Sequence, residues 1–255
     1  MVGAKQDEYV VQVQNVTKEF SGFTAVKNLN LNIRRGTIHA LIGPNGAGKS
    51  TVFNLITKFL PPTSGRILYN GRDITSLEPD QVARLGMVRS FQISAVFPSL
   101  TVRDNVRIAL QQHTGRSYHF WRPESTLESL RVRSIELLDM VGLANLADLT
   151  AAELSYGRKR ALEIATTIAL EPEVLLLDEP MAGLGTEDIA RIANLIKMVA
   201  KERTVLMVEH NLSVVQDLSD VITVLARGEV LVEGNYSTVS KNPDVIAAYM
   251  GARNA

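Results

Sequence analysis

Cysteine is absent from this 255-residue chain, which excludes a disulfide framework, a thiolate metal site and a cysteine nucleophile together. The absence fits a cytosolic setting. An excess of one charge is also missing, since 27 Lys and Arg offset 27 Asp and Glu for a formal net charge of +0. Without a global basic field there is nothing to hold a polyanionic backbone, and no nucleic-acid partner is expected. Long apolar runs are lacking too. None approaches the roughly 18 residues that span a bilayer, and the longest, at 174–177 and 221–226, have the length of buried strands. The opening MVGAKQDEYVVQVQ carries acidic residues where a secretory signal carries its apolar stretch, so no signal peptide is expected. If the chain acts at a membrane, another chain must recruit it. What is present is ordinary globular composition, 45% hydrophobic and 21% charged, and enough length for one large domain or two small ones. No internal repeat, low-complexity tract or linker interrupts it.

Between residues 25 and 33, Leu29, Leu31 and Ile33 alternate with Asn28, Asn30 and Asn32, the period of a half-buried strand. Residues 9–16 repeat the pattern more weakly. After an Arg35-Gly36 turn come an apolar strand at 38–42, a glycine-rich loop, and a helical pattern from Lys49 that Pro61 and Pro62 are expected to end. The second half repeats the α/β theme with strands at 175–177 and 205–208, helices at about 187–199 and from about 212, and a closing hairpin that turns at Arg227-Gly228. The middle differs. From about 101 to 169 strand patterns vanish, and Leu127, Leu130, Ile135, Leu138 and Val141 recur at helical spacing. The chain therefore reads as a single α/β unit over 1–255, with a core at 1–92 and 170–255 and an inserted helical subdomain at 93–169.

Gly43-Pro44-Asn45-Gly46-Ala47-Gly48-Lys49-Ser50-Thr51 matches the phosphate-binding loop pattern, with the required strand before it and helix after it. Glycines let the backbone turn tightly enough to aim successive amides inward, and the new helix adds its positive end, so a polyphosphate is held without base chemistry. Lys49 is expected to reach the β- and γ-phosphates of ATP, and Ser50 to give an oxygen to Mg²⁺. The run Val174-Leu175-Leu176-Leu177-Asp178-Glu179 is an apolar strand ending in two carboxylates, which places acid groups at the carboxyl edge of a sheet beside the phosphates. Asp178 is expected to hold Mg²⁺ through water and Glu179 to orient and polarise the attacking water. Alone this pair is as well explained by a solvated turn; with the glycine loop it becomes a site. Just upstream, Ser155 in Leu154-Ser155-Tyr156-Gly157-Arg158 is suited to cap the next helix, giving a second anion site.

In this order the three motifs resemble those of ABC ATPases, Leu154 to Arg158 being similar to the signature sequence peculiar to that family apart from Tyr156 and Arg158. The resemblance implies a P-loop NTPase (RecA-like) core with an N-terminal antiparallel β subdomain. It further implies a head-to-tail dimer in which Ser155 and Gly157 of one chain close the ATP site of another. Phe20 lies where the family stacks an aromatic ring on adenine, with Phe23 the near competitor. Gln92 matches the glutamine that contacts Mg²⁺ and water, and His210 the histidine that senses the γ-phosphate. His39 reads as structural. One position departs from the family: Gly185 stands where aspartate or asparagine usually follows the strand-end carboxylates, which puts subunit coupling in doubt.

The resemblance runs over nearly the whole chain and leans toward ATPases of branched-chain amino acid importers, through Arg89-Ser90-Phe91-Gln92, Ala182-Gly183-Leu184 and the ending from Asn242 to Gly251. It implies integral membrane permease subunits, a solute-binding protein acting indirectly, a homo- or heterodimeric ATPase, and a peripheral place on the cytoplasmic face of the cell membrane. An exporter ATPase of the lipopolysaccharide type and a soluble non-transport ABC ATPase are the rival readings. Residues 113–122 carry an aromatic and basic stretch that reads as a tucked surface loop, while 94–100 are the better candidate for docking a permease.

Overall fold

The computed structural model describes residues 8–90, 96–113 and 124–251. Strands β1 (Tyr9–Phe20) and β2 (Phe23–Arg34) form a long antiparallel hairpin. Along β2, Leu29, Leu31 and Ile33 are buried while Asn28, Asn30 and Asn32 face solvent, as their alternation predicts. The chain then enters the centre of a second sheet as β3 (Ile38–Ile42), forms helix α1 (Lys49–Ile56), and returns as β4 (Ser64–Tyr69) and β5 (Arg72–Asp73). These complete a four-stranded sheet of order β2-β1-β4-β5. Helix α1 stops well before Pro61. The chain takes a left-handed turn at Lys58 (φ 65), so the helix ends by its own cap and not by the prolines.

Helix α2 (Pro79–Arg84) leads to β6 (Met87–Ser90) at the edge of the second sheet. Next come the helices α3 (Val102–His113), α4 (Glu124–Met140) and α5 (Tyr156–Ile168), where the sequence shows helical spacing. One isolated bridge, Thr101 to Thr150, ties the start of α3 to the approach to α5. The chain re-enters the sheet as β7 (Val174–Asp178), crosses by α6 (Thr186–Ala200) to β8 (Thr204–Val208), and by α7 (Leu212–Leu218) to β9 (Val221–Ala226). It closes with β10 (Glu229–Gly234), α8 (Tyr236–Ser240) and α9 (Pro243–Gly251). The six-stranded order is β10-β9-β3-β8-β7-β6, parallel throughout except for β10. Both Arg227 (φ 52) and Gly228 (φ 80) have positive φ, the two-residue turn expected of this hairpin.

Every residue of β3, β7 and β8 is buried, because both faces of the parallel sheet are covered. Leu41, Leu176, Leu206 and Val208 face α1 and the antiparallel sheet. Ile42, Leu175, Leu177 and Met207 face the helices, in one apolar cluster with Val106, Leu138, Leu162 and Ile196. The layers leave the carboxyl ends of β3, β7 and β8 on one edge, where the chain leaves each strand for a loop. That edge carries the glycine loop, Asp178, Glu179 and His210.

Candidate nucleotide site

The loop from Gly43 to Gly48 is shaped by contacts that only glycine allows at two points. Gly48 precedes α1 in the left-handed region (φ 101), and a Cβ there would lie 2.8 Å from the Ala25 carbonyl. At Gly43 a Cβ would collide with the Leu225 carbonyl. The close approach brings three segments together: the Gly228 amide donates to the Ala47 carbonyl at 3.0 Å and the Lys27 amide to the Gly228 carbonyl at 2.9 Å. The β1–β2 hairpin and the β9–β10 turn thus brace the loop. No side chain caps α1, and no acidic residue stands in its first turn. Its first amides therefore remain available to an anion. Asn45, Gly46 and Ser50 are exposed, Pro44, Gly48 and Thr51 partly so, and Gly43, Ala47 and Lys49 are buried.

The Lys49 ammonium donates to the carbonyls of Gly43 (2.7 Å) and Pro44 (3.0 Å). Burial lowers its pKa, and the Glu179 carboxylate partly opposes that shift. Those carbonyls are neutral acceptors, weaker partners than phosphate oxygens. Asp178, 1% exposed at the end of β7, receives the Arg89 guanidinium on Oδ2 at 2.6 Å. Its Oδ1 is buried with no hydrogen-bond partner among the described residues. A desolvated carboxylate oxygen left open is an uncommon and costly arrangement, and it suits an outer-sphere partner of Mg²⁺. Among the described residues no cluster of three or more His, Asp and Glu could hold a metal ion alone.

Glu179 has φ 46, a left-handed conformation unusual for a residue with a side chain. Its amide donates to the Val208 carbonyl at 2.9 Å, and its Oε1 lies 3.0 Å from His210 Nε2. The ends of β7 and β8 thereby place two of the residues singled out in the sequence against each other. Phe20 sits at the tip of the hairpin, 40% exposed, with the Lys18 ammonium 5.1 Å from its ring centre. Phe23, paired across from it, is 67% exposed. Gln92 lies outside the described residues, as do 94–95 and most of the 113–122 stretch.

Ser155 and Gly157 lie at the start of α5. Ser155 takes the N-cap position of α5 with extended backbone (φ −61, ψ 161), but its hydroxyl makes no capping bond. Among the described residues no hydrogen bond or ion pair joins Ser155 or Gly157 to the glycine loop. Gly157 has a packing reason of its own, because a Cβ there would fall on the Asp188 carboxylate in the first turn of α6. Gly185, at the N-cap of α6, has nothing within 4 Å of where a Cβ would go. An asparagine or aspartate would therefore fit.

Sequence reasoning passed over Arg89, Arg160 and Glu209. The Arg89 guanidinium also donates to Asn54 Oδ1 (2.6 Å) and lies over the rings of Phe53 (5.0 Å) and Phe59 (5.6 Å). Arg160 and Glu209 are buried at 8% and 2% exposure. The available signals were an Arg and Glu three apart on the apolar α5, and a carboxylate directly after the β8 strand beside His210.

The ABC transporter family profile matches residues 26–182. The high-affinity branched-chain amino acid transport ATP-binding protein LivG of Escherichia coli is 38% identical over 252 residues, covering 95% of this chain and 98% of its own. BraF of Pseudomonas aeruginosa, of the same description, is 36% identical over 250 residues, with 95% and 98% covered. An ATP-binding cassette of an ABC transporter in its ADP conformation superposes with a TM-score of 0.83 at 30% identity, over 95% of this chain and 99% of that one. A dimeric cassette in a post-hydrolysis state bound to ADP and Pi gives 0.74 at 29% identity, over 88% and 98%. The fold is accordingly a P-loop NTPase core with an antiparallel β subdomain. The profile over residues 26–182, the near full-length relatives and the solved cassettes agree, and the chain belongs to the ABC transporter family as one of its ATP-binding cassettes.

Proposed function

We propose that this cassette binds ATP with Mg²⁺ on the loop from Gly43 to Thr51 and hydrolyses it to power import of branched-chain amino acids. Transport itself passes through separate permease subunits, supplied by a solute-binding protein, with the cassette on the cytoplasmic face of the membrane. The observation that carries the hydrolytic reading is the 3.0 Å contact between Glu179 and His210 beside the buried Lys49. Two carboxylates leave one strand end in different surroundings. Asp178 is tied to Arg89 and presents one open oxygen, whereas the Glu179 carboxylate is more accessible and faces a histidine.

Lys49 leaves its two carbonyls for phosphate oxygens, and the open amides of α1 hold the phosphate chain. Glu179 orients a water and accepts its proton at the carboxylate, while His210 fixes that carboxylate through Nε2. Asp178, Ser50 and Gln92 would hold Mg²⁺, which when bound shields the charge of the phosphates. The exposed ring of Phe20 offers a face for adenine. Ser155, exposed at the N-cap of α5, and the buried Gly157 two residues on close the site of a second cassette, identical or paralogous. Residues 93–169 act as the helical subdomain that meets the permease. The import reading is supported by the names of the relatives and their near-complete coverage of this chain.

The deciding variant is Glu179→Gln, which keeps size and hydrogen bonding but removes the basicity. ATP binding should persist while single-turnover hydrolysis falls roughly 10²- to 10⁴-fold, and an ATP-dependent dimer should accumulate on a sizing column. Hydrolysis at the parental rate would refute the assignment of the base. The import reading is checked by copurification with the permease and uptake of labelled leucine in vesicles; partners that move no amino acid would overturn it.

A further inference from the structure

Two buried ions hold, through its backbone, the segment that carries Glu179. From one side Arg160 of α5 donates Nη2 to the Asp178 carbonyl (2.9 Å) and Nε to the Pro180 carbonyl (3.3 Å), while its Nη1 is taken by Glu163 Oε2 (2.6 Å). From the other side Glu209 accepts the Met181 amide on Oε1 (3.1 Å), and the amides of His210 (2.7 Å) and Asn211 (3.0 Å) on Oε2. The backbone on both sides of Glu179 is thus fixed by a cation through its carbonyls and by an anion through its amide. The same anion fixes the backbone of His210.

A chain leaving a parallel strand has no ladder partner for these groups, so something must satisfy them. Apolar packing could not. Glu179 also sits at φ 46, a conformation that persists only where the surroundings over-determine it. The two ions supply that constraint on either side of the strained residue and make no bond to its side chain. A displacement of about 1 Å in the Glu179–His210 pair would be enough to impair orientation of a water.

We propose that Arg160 and Glu209 are positioning residues for hydrolysis, which hold Glu179 and His210 in register without touching the substrate. The proposal rests on the reading of Glu179 as the base, and the experiment separates the two. In the full-length chain, Arg160→Lys keeps the charge but cannot span both carbonyls and Glu163 with one planar fork. Glu209→Gln keeps the shape but turns one acceptor into a donor facing an amide. Each variant should bind ATP within about twofold of the parent, as followed by a fluorescent ATP analogue, yet hydrolyse it roughly 10- to 100-fold more slowly in a single turnover. Because both act through Glu179 and His210, neither should slow hydrolysis further in a Glu179→Gln background, and Glu209→Gln should add nothing to His210→Ala. A merely structural role would lower the melting temperature and multiply with those backgrounds. Parental turnover in both variants, or losses that multiply in full, overturns the proposal while Glu179→Gln stays slow. Parental turnover in Glu179→Gln overturns the reading of the base and this proposal with it. Should Arg160→Lys fail to fold, Glu209→Gln with the His210→Ala cycle decides alone.

Discussion

His39, in the strand that feeds the glycine loop, gives the sharpest physical prediction. Its ring is fully buried, with Nε2 2.7 Å from Thr223 Oγ1. That hydroxyl spends its own hydrogen on Glu233 Oε2 at 2.6 Å, so it must accept from Nε2–H, which leaves Nδ1 as the bare nitrogen. Nδ1 is buried without a partner. A second proton would have to sit there, desolvated and unbonded, with the Glu233 carboxylate as far as 4.0 Å from Nε2. Burial accordingly pushes the His39 pKa from 6.5 to about 4. Because the unfolded chain binds the proton more readily, stability falls as pH drops from about 6.5 toward 4. The full loss below that window is about 3 kcal/mol, and the share between pH 7 and pH 5 is about 2 kcal/mol. His39→Gln keeps a donor for Thr223 but cannot titrate. Urea unfolding of both proteins at pH 7 and pH 5 is the assay, since carboxylates common to both cancel in the difference. The parent should lose about 2 kcal/mol more than the variant over that interval; equal losses would refute a buried neutral imidazole.

Lys49→Ala should weaken MgATP binding by about 1.5–3 kcal/mol, the worth of a hydrogen bond to a charged group, and an unchanged affinity in a titration would remove Lys49 from the site. Gly185→Asn places a capping side chain in open space at the start of α6 and should raise stability by a few tenths of a kcal/mol; a lower melting temperature would show that the position is not a helix cap. Asn211 accepts the Ser213 amide at 3.1 Å and the Val214 amide at 3.4 Å as the N-cap of α7. Asn211→Ala should cost about 1 kcal/mol in denaturant unfolding, and an effect near zero would count against that cap.

The parts of the fold legible in the sequence are those whose signal is local. The glycine loop is contiguous, β2 alternates with period two, and β3, β7 and β8 are apolar because the parallel sheet is covered on both faces. Strand β4 was not visible, because only Ile67 and Tyr69 of Ser64–Tyr69 are buried and its identity comes from pairing with β1. Helix α2 carried a readable sign in Glu78, Pro79 and Gln81, a capping box with proline in the first turn. Gly157 shows how one residue answers to two demands: the phosphate-approach reading is a sequence inference, whereas the exclusion of a side chain by Asp188 is a packing fact visible only in three dimensions. Arg160 and Glu209 escaped for the same reason, since the Asp178, Pro180 and Met181 backbone groups they hold lie 18 to 28 residues away in the chain.

The distribution of charge separates what stabilises the molecule from what shapes the site. Surface pairs such as Arg84–Asp80 and Lys197–Asp217 are largely exposed and contribute about 0–1 kcal/mol each. Arg160, Glu163 and Glu209 are buried, where desolvation offsets most of the gain from pairing, so that apolar replacements of equal volume would often be as stable. The place of Arg160 and Glu209 beside the ends of β7 and β8 follows from what apolar groups cannot do, which is to bind backbone carbonyls and amides that have left the sheet ladder. Asp178 and Lys49 differ from them in one respect. Arg160 and Glu209 are held on every side by this chain, whereas Asp178 keeps an open Oδ1 and the Lys49 ammonium rests on two neutral carbonyls. A buried charge short of partners costs free energy, and a ligand that brings opposite charge relieves that cost when it binds. In the proposed site the two groups fall where a phosphate chain and its metal ion would supply further countercharge.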